Sequence, residues 1–163
     1  MLTKNFYSYM RAAFQKSAST FKLTDGSTVT TSLGSTSYPP FMVMNSWAKQ
    51  SKAIGVSFGT GTTPATVSDY CLESILASTQ INVSVPSAVS YSRGDTYEEY
   101  SVTFGITNKT TEAITISEVG LTAEPSGGNP ILYALVDRTV LDTPVTIPAG
   151  QSKQITYTIR FNY

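Results

Sequence analysis

Residues 99–107 read E-Y-S-V-T-F-G-I-T, with a large apolar side chain at every second position from Tyr100 onward. Residues 155–161 repeat the pattern as I-T-Y-T-I-R-F, and shorter alternating runs occupy 54–58 and 81–85. Successive side chains of a strand point to opposite faces of its sheet, so a period of two predicts strands with one buried and one solvated face. Antiparallel sheets are typical of such strands.

Clusters of Gly, Pro, Asn, Asp and Ser separate these runs, for example S-R-G-D at 92–95 and P-A-G-Q at 148–151. Short alternating strands with a turn about every 8–12 residues are typical of β-sandwiches. We therefore expect a mainly β protein, an antiparallel β-sandwich that is Ig-like or jelly-roll-like. It should have seven to nine strands.

Three local patterns refine this expectation. The dipeptide Asp25-Gly26 lies between two strand-like runs and predicts a hairpin with a two-residue type I′ turn. The apolar residues change parity near Ser117 and Glu118, which predicts a β-bulge there. Residues 131–136 are apolar throughout, which is typical of a strand covered on both faces.

The N-terminal residues 2–17 predict a helix with Thr3 as its N-cap, because apolar residues recur there at helical spacing. This apolar stripe consists of Phe6, Met10, Ala13 and Phe14. A helix of about 15 residues is marginal alone in water, so the stripe must dock on something.

We divide the chain into a helical arm, residues 1–19, and a single β-sandwich domain, residues 20–163. Residues 1–52 carry six basic and one acidic side chain, a net charge of +5. Residues 53–124 carry two basic and eight acidic side chains, a net charge of −6, and residues 125–163 carry three basic and two acidic ones, a net charge of +1. The basic arm could dock on its own domain or on a neighbouring copy, or both sets of charges could be solvated faces.

Residues 31–53 are irregular, because Pro39-Pro40 blocks a central strand there. This segment is nevertheless rich in apolar side chains, so we expect it to pack on the domain or to contact a partner. The candidate interface residues are Phe6, Met10 and Phe14 of the helix and Tyr38, Phe41 and Trp47 of this segment.

Composition excludes several functions. The chain has no His and one Cys, so it cannot form a His-based relay, a His-ligated metal site or an intrachain disulfide, and we expect no cofactor. Its 11 basic and 11 acidic residues give zero net charge, which argues against nucleic-acid binding. The longest purely apolar run is residues 131–136, too short to cross a membrane, and we find no secretion signal.

Few residues are candidates for catalysis. Cys71 lies in the acidic stretch S-D-Y-C-L-E, which should raise its pKa, so we interpret it as a small buried side chain. Glu98 and Glu99 are adjacent on a strand and point to opposite faces, so together they cannot form a glycosidase pair. Asp137-Arg138 is predicted to end a strand at the surface.

The segment 59–64, G-T-G-T-T-P, superficially resembles a phosphate-binding loop. It lacks the following Gly-Lys-Ser/Thr and a long helix, so we interpret it as a sharp exit from the strand before it.

Two stretches resemble a type of small virion protein of tailed bacteriophages. The first is 54–74, which reads as a strand, then G-T-G-T-T-P, then D-Y-C-L-E. The second combines I-T-I-S-E-V-G-L at 114–121 with R-T-V-L-D-T-P-V-T-I-P-A-G at 138–150 and the final strand. The resemblance covers about residues 54–163 and implies a non-enzymatic structural component of the phage particle.

We therefore expect a virion structural protein made in the host cytoplasm, present in multiple copies in the capsid or tail as a decoration, fibre-base or adaptor protein. Its expected partners are other virion proteins and further copies of itself, with no nucleic acid and no membrane. The alternative is a module that binds host-surface glycans through aromatic side chains such as Trp47. A hydrolase with an unusual carboxylate site is a third hypothesis.

Overall fold

A computed structural model of the chain describes residues 1–34, 44, 46–50, 53–85, 89–127 and 130–163. In this part of the chain one helix precedes nine strands, and every pair of strands is antiparallel. The elements are α1 (Lys4–Gln15), β1 (Ser19–Lys22), β2 (Thr28–Thr31), β3 (Gly55–Gly59), β4 (Ile81–Ser84), β5 (Ser90–Arg93), β6 (Tyr97–Asn108), β7 (Ile114–Ala123), β8 (Ala134–Ile147) and β9 (Ser152–Asn162).

The strands form two larger sheets and one hairpin. The first sheet has the order β3-β7-β8. In the second sheet β9 pairs along one side of β6, while β4 and β5 pair with β6 along its other side. The rings of Phe58 in β3 and Phe104 in β6 lie 5.4 Å apart between their centroids, so the two sheets share one core. The expected mainly β, sandwich-like architecture is confirmed.

The alternating residues of β6 and β9 behave as predicted. Their inward side chains are buried and comprise Val102, Phe104, Ile106, Ile155, Tyr157 and Ile159. On the outer faces, hydroxyl groups form cross-strand hydrogen bonds, at 2.8 Å between Thr103 and Thr156 and 2.9 Å between Thr115 and Thr146. Such pairs stabilise a sheet, which gives the Ser- and Thr-rich composition a structural role.

The predicted β-bulge is present. The register of β7 against β8 shifts between Ile116 and Glu118. Because the shift changes which side chains face inward, Ser117 is 5% exposed and Glu118 is fully buried. The bulge thus places a carboxylate inside the protein.

The hairpin between β1 and β2 is confirmed, but its turn differs from the predicted type I′. The Gly26 amide donates to the Leu23 carbonyl at 2.9 Å, and the Leu23 amide donates to the Ser27 carbonyl at 2.8 Å. Within this loop only Gly26 has a positive φ, 85°. The connection is therefore a three-residue loop with glycine in the left-handed region. Asp25 instead accepts a hydrogen bond from the Ser27 amide at 3.0 Å.

Two predictions about β3 and β8 need correction. Strand β3 is buried at all five positions instead of at alternate ones. The stretch of β8 covered on both faces is residues 134–138, whereas residues 131–133 precede the strand and Ile131 is 53% exposed. Asp137 and Arg138 were predicted at a surface strand end, and this is wrong: they are 5% and 3% exposed inside the strand.

The helix spans Lys4–Gln15 and docks on its own chain, mainly against β1 and β8. Its buried face consists of Asn5, Phe6, Tyr9 and Ala12, which differs from the predicted stripe in all but Phe6. Thr3 occupies the N-cap position, but its hydroxyl donates to the Leu135 carbonyl at 2.6 Å instead of capping the helix.

Hydrogen bonds from polar side chains explain why α1 buries this face instead of the predicted one. The Asn5 amide donates to the Leu135 carbonyl at 3.0 Å, and the Tyr9 hydroxyl donates to the Glu124 carbonyl at 2.9 Å. The residues before the helix also pair with β8, since the Thr3 amide donates to the Val136 carbonyl at 3.0 Å. Residues 1–19 thus contribute to the same core as the strands, through Phe6 and Tyr9. No described helix is long and apolar enough to span a membrane.

Candidate functional site

The main concentration of charge in the described structure surrounds Arg138, whose side chain is 4% exposed. Its Nε lies 2.8 Å from Glu118 Oε2, and its Nη1 lies 2.8 Å from Asp69 Oδ2. Its Nη2 donates to the Thr63 carbonyl at 3.1 Å and lies 3.6 Å from Glu73 Oε2. We call Asp69, Glu73, Glu118 and Arg138 the Arg138 cluster.

Glu118 uses both carboxylate oxygens to hold the loop that follows β3. Its Oε1 accepts from the amides of Gly61 at 3.1 Å and Ser74 at 2.8 Å. Its Oε2 accepts from the Glu73 amide at 3.2 Å, in addition to Arg138 Nε. A buried carboxylate with these donors is satisfied, and each contact ties the loop to β7.

The other two carboxylates belong to this loop and form hydrogen bonds within it. Glu73 Oε2 accepts from the amides of Thr62 at 3.0 Å and Thr63 at 2.9 Å. Asp69 accepts from the Thr66 amide at 3.0 Å and from the Thr66 hydroxyl at 2.7 Å. The segment that resembled a phosphate loop therefore donates its amides to carboxylates of its own chain, consistent with a sharp exit from β3.

These contacts shift the pKa values of Asp69, Glu73 and Arg138 toward the charged forms. Burial by itself would raise the pKa of Asp69, but hydrogen bonds from Thr66 and Arg138 outweigh it and lower this pKa. Hydrogen bonds from Thr63 lower the pKa of Glu73. Burial opposes the charge of Arg138, yet hydrogen bonds to Asp69 and Glu118 raise its pKa. Asp69, Glu73 and Arg138 therefore stay ionised near neutral pH.

A cleft of about 250 Å³ opens in front of the cluster and is lined by Asp69, Cys71, Glu73 and Arg138 among others. Burial raises the pKa of the Cys71 thiol, Arg138 opposes this effect, and Asp69 adds to it. The raised pKa agrees with the prediction from sequence, although Cys71 is half-buried instead of buried. The thiol is thus in its weakly nucleophilic protonated form near neutral pH.

The arrangement acts as a clamp on the loop. Each carboxylate of the Arg138 cluster already accepts hydrogen bonds from the guanidinium or from loop amides. Within the described ranges, no group of three or more His, Cys, Asp or Glu side chains is placed to hold a metal ion. The chemistry that this geometry supports is the fixing of residues 60–74 against β7 and β8.

A second feature is a groove of about 420 Å³ beside the helix, which we call the α1 groove. It lies between one face of α1 and the ends of β6 and β9, and it is lined by Phe6, Tyr7, Met10, Glu98, Tyr100 and Phe161. Its walls are mostly aromatic, and Glu98 is its charged member.

The predicted interface residues of the helix differ in how far they are exposed to solvent. Phe6 is 5% exposed and stacks on Phe161 with 6.1 Å between ring centroids, so it is an internal contact. Met10 is half-buried on the wall of the groove. Phe14 is 79% exposed and remains available to a partner.

The predicted contacts in the Pro-Pro segment have a different outcome. Tyr38 and Phe41 lie outside the described residues. Trp47 is half-buried against the core, where its backbone pairs with Val56. Its Nε1 has no hydrogen-bond partner among the residues described, and Lys49 Nζ lies 5.7 Å from its ring centroid. Trp47 therefore packs partly against the core of its own chain.

Sequence reasoning missed the Arg138 cluster, although a signal for it existed. The parity change at Ser117 and Glu118 turns Glu118 toward the core, and a buried carboxylate requires a partner. Arg138 follows a fully apolar run, so it was the obvious basic residue to test as that partner.

The two stretches quoted at the end of the sequence analysis meet at this cluster. Asp69 and Glu73 belong to the first stretch, and Glu118 and Arg138 belong to the second. The quoted motifs are thus explained as a loop and the ion pairs that hold it. Comparisons of the chain with protein-family models, with curated proteins and with solved structures find no match.

Proposed function

We propose that this protein is a non-enzymatic structural subunit of a tailed-phage particle, present in multiple copies in the capsid or tail and acting through subunit interfaces. One observation carries the non-enzymatic part of the proposal: the charged side chains of the Arg138 cluster all contact one another or a loop of the same chain. They offer neither a free base nor a free nucleophile, whereas the exposed aromatic side chains of α1 and its groove offer a surface for binding.

The pattern of the surface supports this proposal further. Phe14 is 79% exposed and Tyr7 is 58% exposed, and both lie on a helix whose opposite face is anchored in the core. Large apolar side chains held on a rigid element are typical of binding surfaces, because aromatic anchors supply much of the energy of an interface. The resemblance over residues 54–163 adds the expectation of a virion location.

The experiment that tests the proposal is quantitative mass spectrometry of purified particles of the phage that encodes the chain. We expect a fixed ratio of this protein to the major capsid or tail protein, unchanged after a high-salt wash. Particles that lack the protein, or that carry it in variable traces, would reject a structural role.

A second measurement tests the non-enzymatic part of the proposal. Arg138→Lys keeps a cation in the cluster but removes the guanidinium that bridges Asp69 and Glu118. If incorporation into particles follows the folded fraction of this variant, the cluster acts through stability. Hydrolysis of a glycan by the wild-type protein, abolished in a folded Arg138→Lys variant, would contradict the proposal.

A further inference from the structure

The helix α1 has two apolar faces. One face is buried against β1 and β8, as described above. The other carries Tyr7, Met10 and Phe14, which are spaced by three and four residues and therefore lie in one row along the helix. Two of these three side chains are more than half exposed.

We propose that a second copy of this chain covers this row, with Phe14 of each copy seated in the α1 groove of the other. This inference deepens the proposed function and rests on it, because it names the contact through which the subunit forms part of an assembly. The occupant is a second copy because the groove and the side chain that would fill it belong to the same face of one helix.

The geometry of a two-fold axis makes this contact reciprocal. When two copies of a helix pack antiparallel about such an axis near residues 10 and 11, position 14 of each helix lies opposite position 7 of the other. Phe14 then reaches the end of the groove that Tyr7 and Phe6 line. A groove of about 420 Å³ has room for one aromatic side chain. Such an isologous pair closes on itself, as most homodimers do.

The charges of the helix and of the groove also favour a second copy as the occupant. Helix α1 contains the bases Lys4 and Arg11 and no acidic residue, whereas the charged wall of the groove is Glu98. Glu98 is about one-third exposed; it accepts a hydrogen bond from the Tyr91 hydroxyl, and its ion pair with Arg93 is long at 3.7 Å. In the antiparallel arrangement Arg11 of one copy lies opposite Met10 of the other, next to Glu98. A cation from a second copy therefore meets a carboxylate that has room for it.

Sedimentation velocity of the purified full chain over a range of concentrations tests the proposal. We expect wild type to form a dimer, and Phe14→Ser to raise the dimer dissociation constant about 30-fold, as loss of a central aromatic anchor does. The matched control is Ile131→Ser, which removes an apolar side chain of 53% exposure outside the groove and should leave the dimer unchanged.

Cross-linking tests the register. In a Cys71→Ala background with an added oxidant, Tyr7→Cys protein mixed with Phe14→Cys protein should form an interchain disulfide faster than Phe14→Cys protein does with itself. The protein concentration is kept above the dissociation constant of the weakened Phe14→Cys dimer, so that the rates report register instead of affinity. A wild-type protein that stays monomeric, or a dimer unaffected by Phe14→Ser, would overturn this inference. Either result leaves the proposed function standing, because that function is tested separately, by the protein content of purified particles and by the assay for glycan hydrolysis.

Discussion

The Arg138 cluster and the α1 groove differ in chemistry and in exposure to solvent. The cluster gathers four charged side chains in a largely buried place and satisfies them with one another and with loop amides. The groove gathers aromatic side chains at the surface and leaves two of those on the helix more than half exposed. The comparison teaches that the charges of the Arg138 cluster stabilise the fold of their own chain, while the aromatic surface of α1 is left for contacts with other molecules.

The largest expected effect comes from removing the cation of the cluster. Arg138→Met leaves buried Glu118 without its partner and should lower the free energy of unfolding by about 3–5 kcal/mol, measured by urea denaturation. Adding Glu118→Gln should restore part of this loss. The control is Arg160→Met, because Arg160 pairs with Glu99 at an exposed position and its loss should cost close to nothing. If both arginine variants lower the free energy of unfolding equally, the claim that Arg138 holds the loop is contradicted.

Two phenylalanines of the same helix sharpen the comparison. Phe6→Ala should lower the free energy of unfolding by about 3 kcal/mol, because it empties a buried site beside Phe161. Phe14→Ala should change it by less than about 0.5 kcal/mol, because the side chain is exposed. Thermal and urea unfolding of both variants give the test. A large destabilisation by Phe14→Ala would mean that Phe14 packs within its own chain.

A smaller effect on stability should follow from adding a side chain next to the Arg138 cluster. A Cβ at Gly61 would lie 2.6 Å from Glu118 Oε1 and 2.5 Å from Glu73 Cβ, so Gly61→Ala must displace the loop. We expect a loss of about 1–3 kcal/mol and faster proteolysis between residues 60 and 74. Gly105→Ala is the matched control, since its nearest contact would be an ordinary 3.4 Å. Proteolysis at the wild-type rate in Gly61→Ala would argue against a rigid loop.

The smallest effect is a dependence of stability on pH. The pKa values of Asp69 and Glu73 are lowered in the folded protein, so the unfolded chain binds more protons as the pH falls. Their contribution is present at neutral pH, above the ordinary carboxyl pKa of about 4, and is lost as the pH falls through the lower folded values. Urea midpoints between pH 7 and pH 3 should therefore fall less steeply in Asp69→Asn than in wild type. Parallel curves would show that Asp69 is unpaired.

Local pattern was sufficient where neighbours along the chain decide the structure. The alternation in β6 and β9 predicted their buried faces, and the parity change predicted the bulge at Ser117 and Glu118. The hairpin at Asp25-Gly26 was also predicted, although its turn type was not. A turn type depends on how the two strands pair, and this pairing is a property of the sheet.

Pattern failed where a polar residue finds a distant partner. Asn5 and Tyr9 form part of the buried face of α1 because their side chains donate to the carbonyls of Leu135 in β8 and of Glu124, directly after β7. The helix therefore buries a different face from the predicted apolar stripe. Asp137 and Arg138 remain inside β8 because Tyr157 and Glu118 bind them at 2.8 Å. None of these partners is adjacent in sequence.

The amino-acid sequence alone determined the strand-rich class, the inward faces of β6 and β9 and the bulge in β7. The tertiary structure alone decided which face of α1 is buried, where the charged residues lie and which aromatic side chains stay exposed. The physical reason is that periodicity reports how each segment divides its side chains between water and core, whereas burial of a charge or an amide depends on a partner that only folding brings within hydrogen-bond distance.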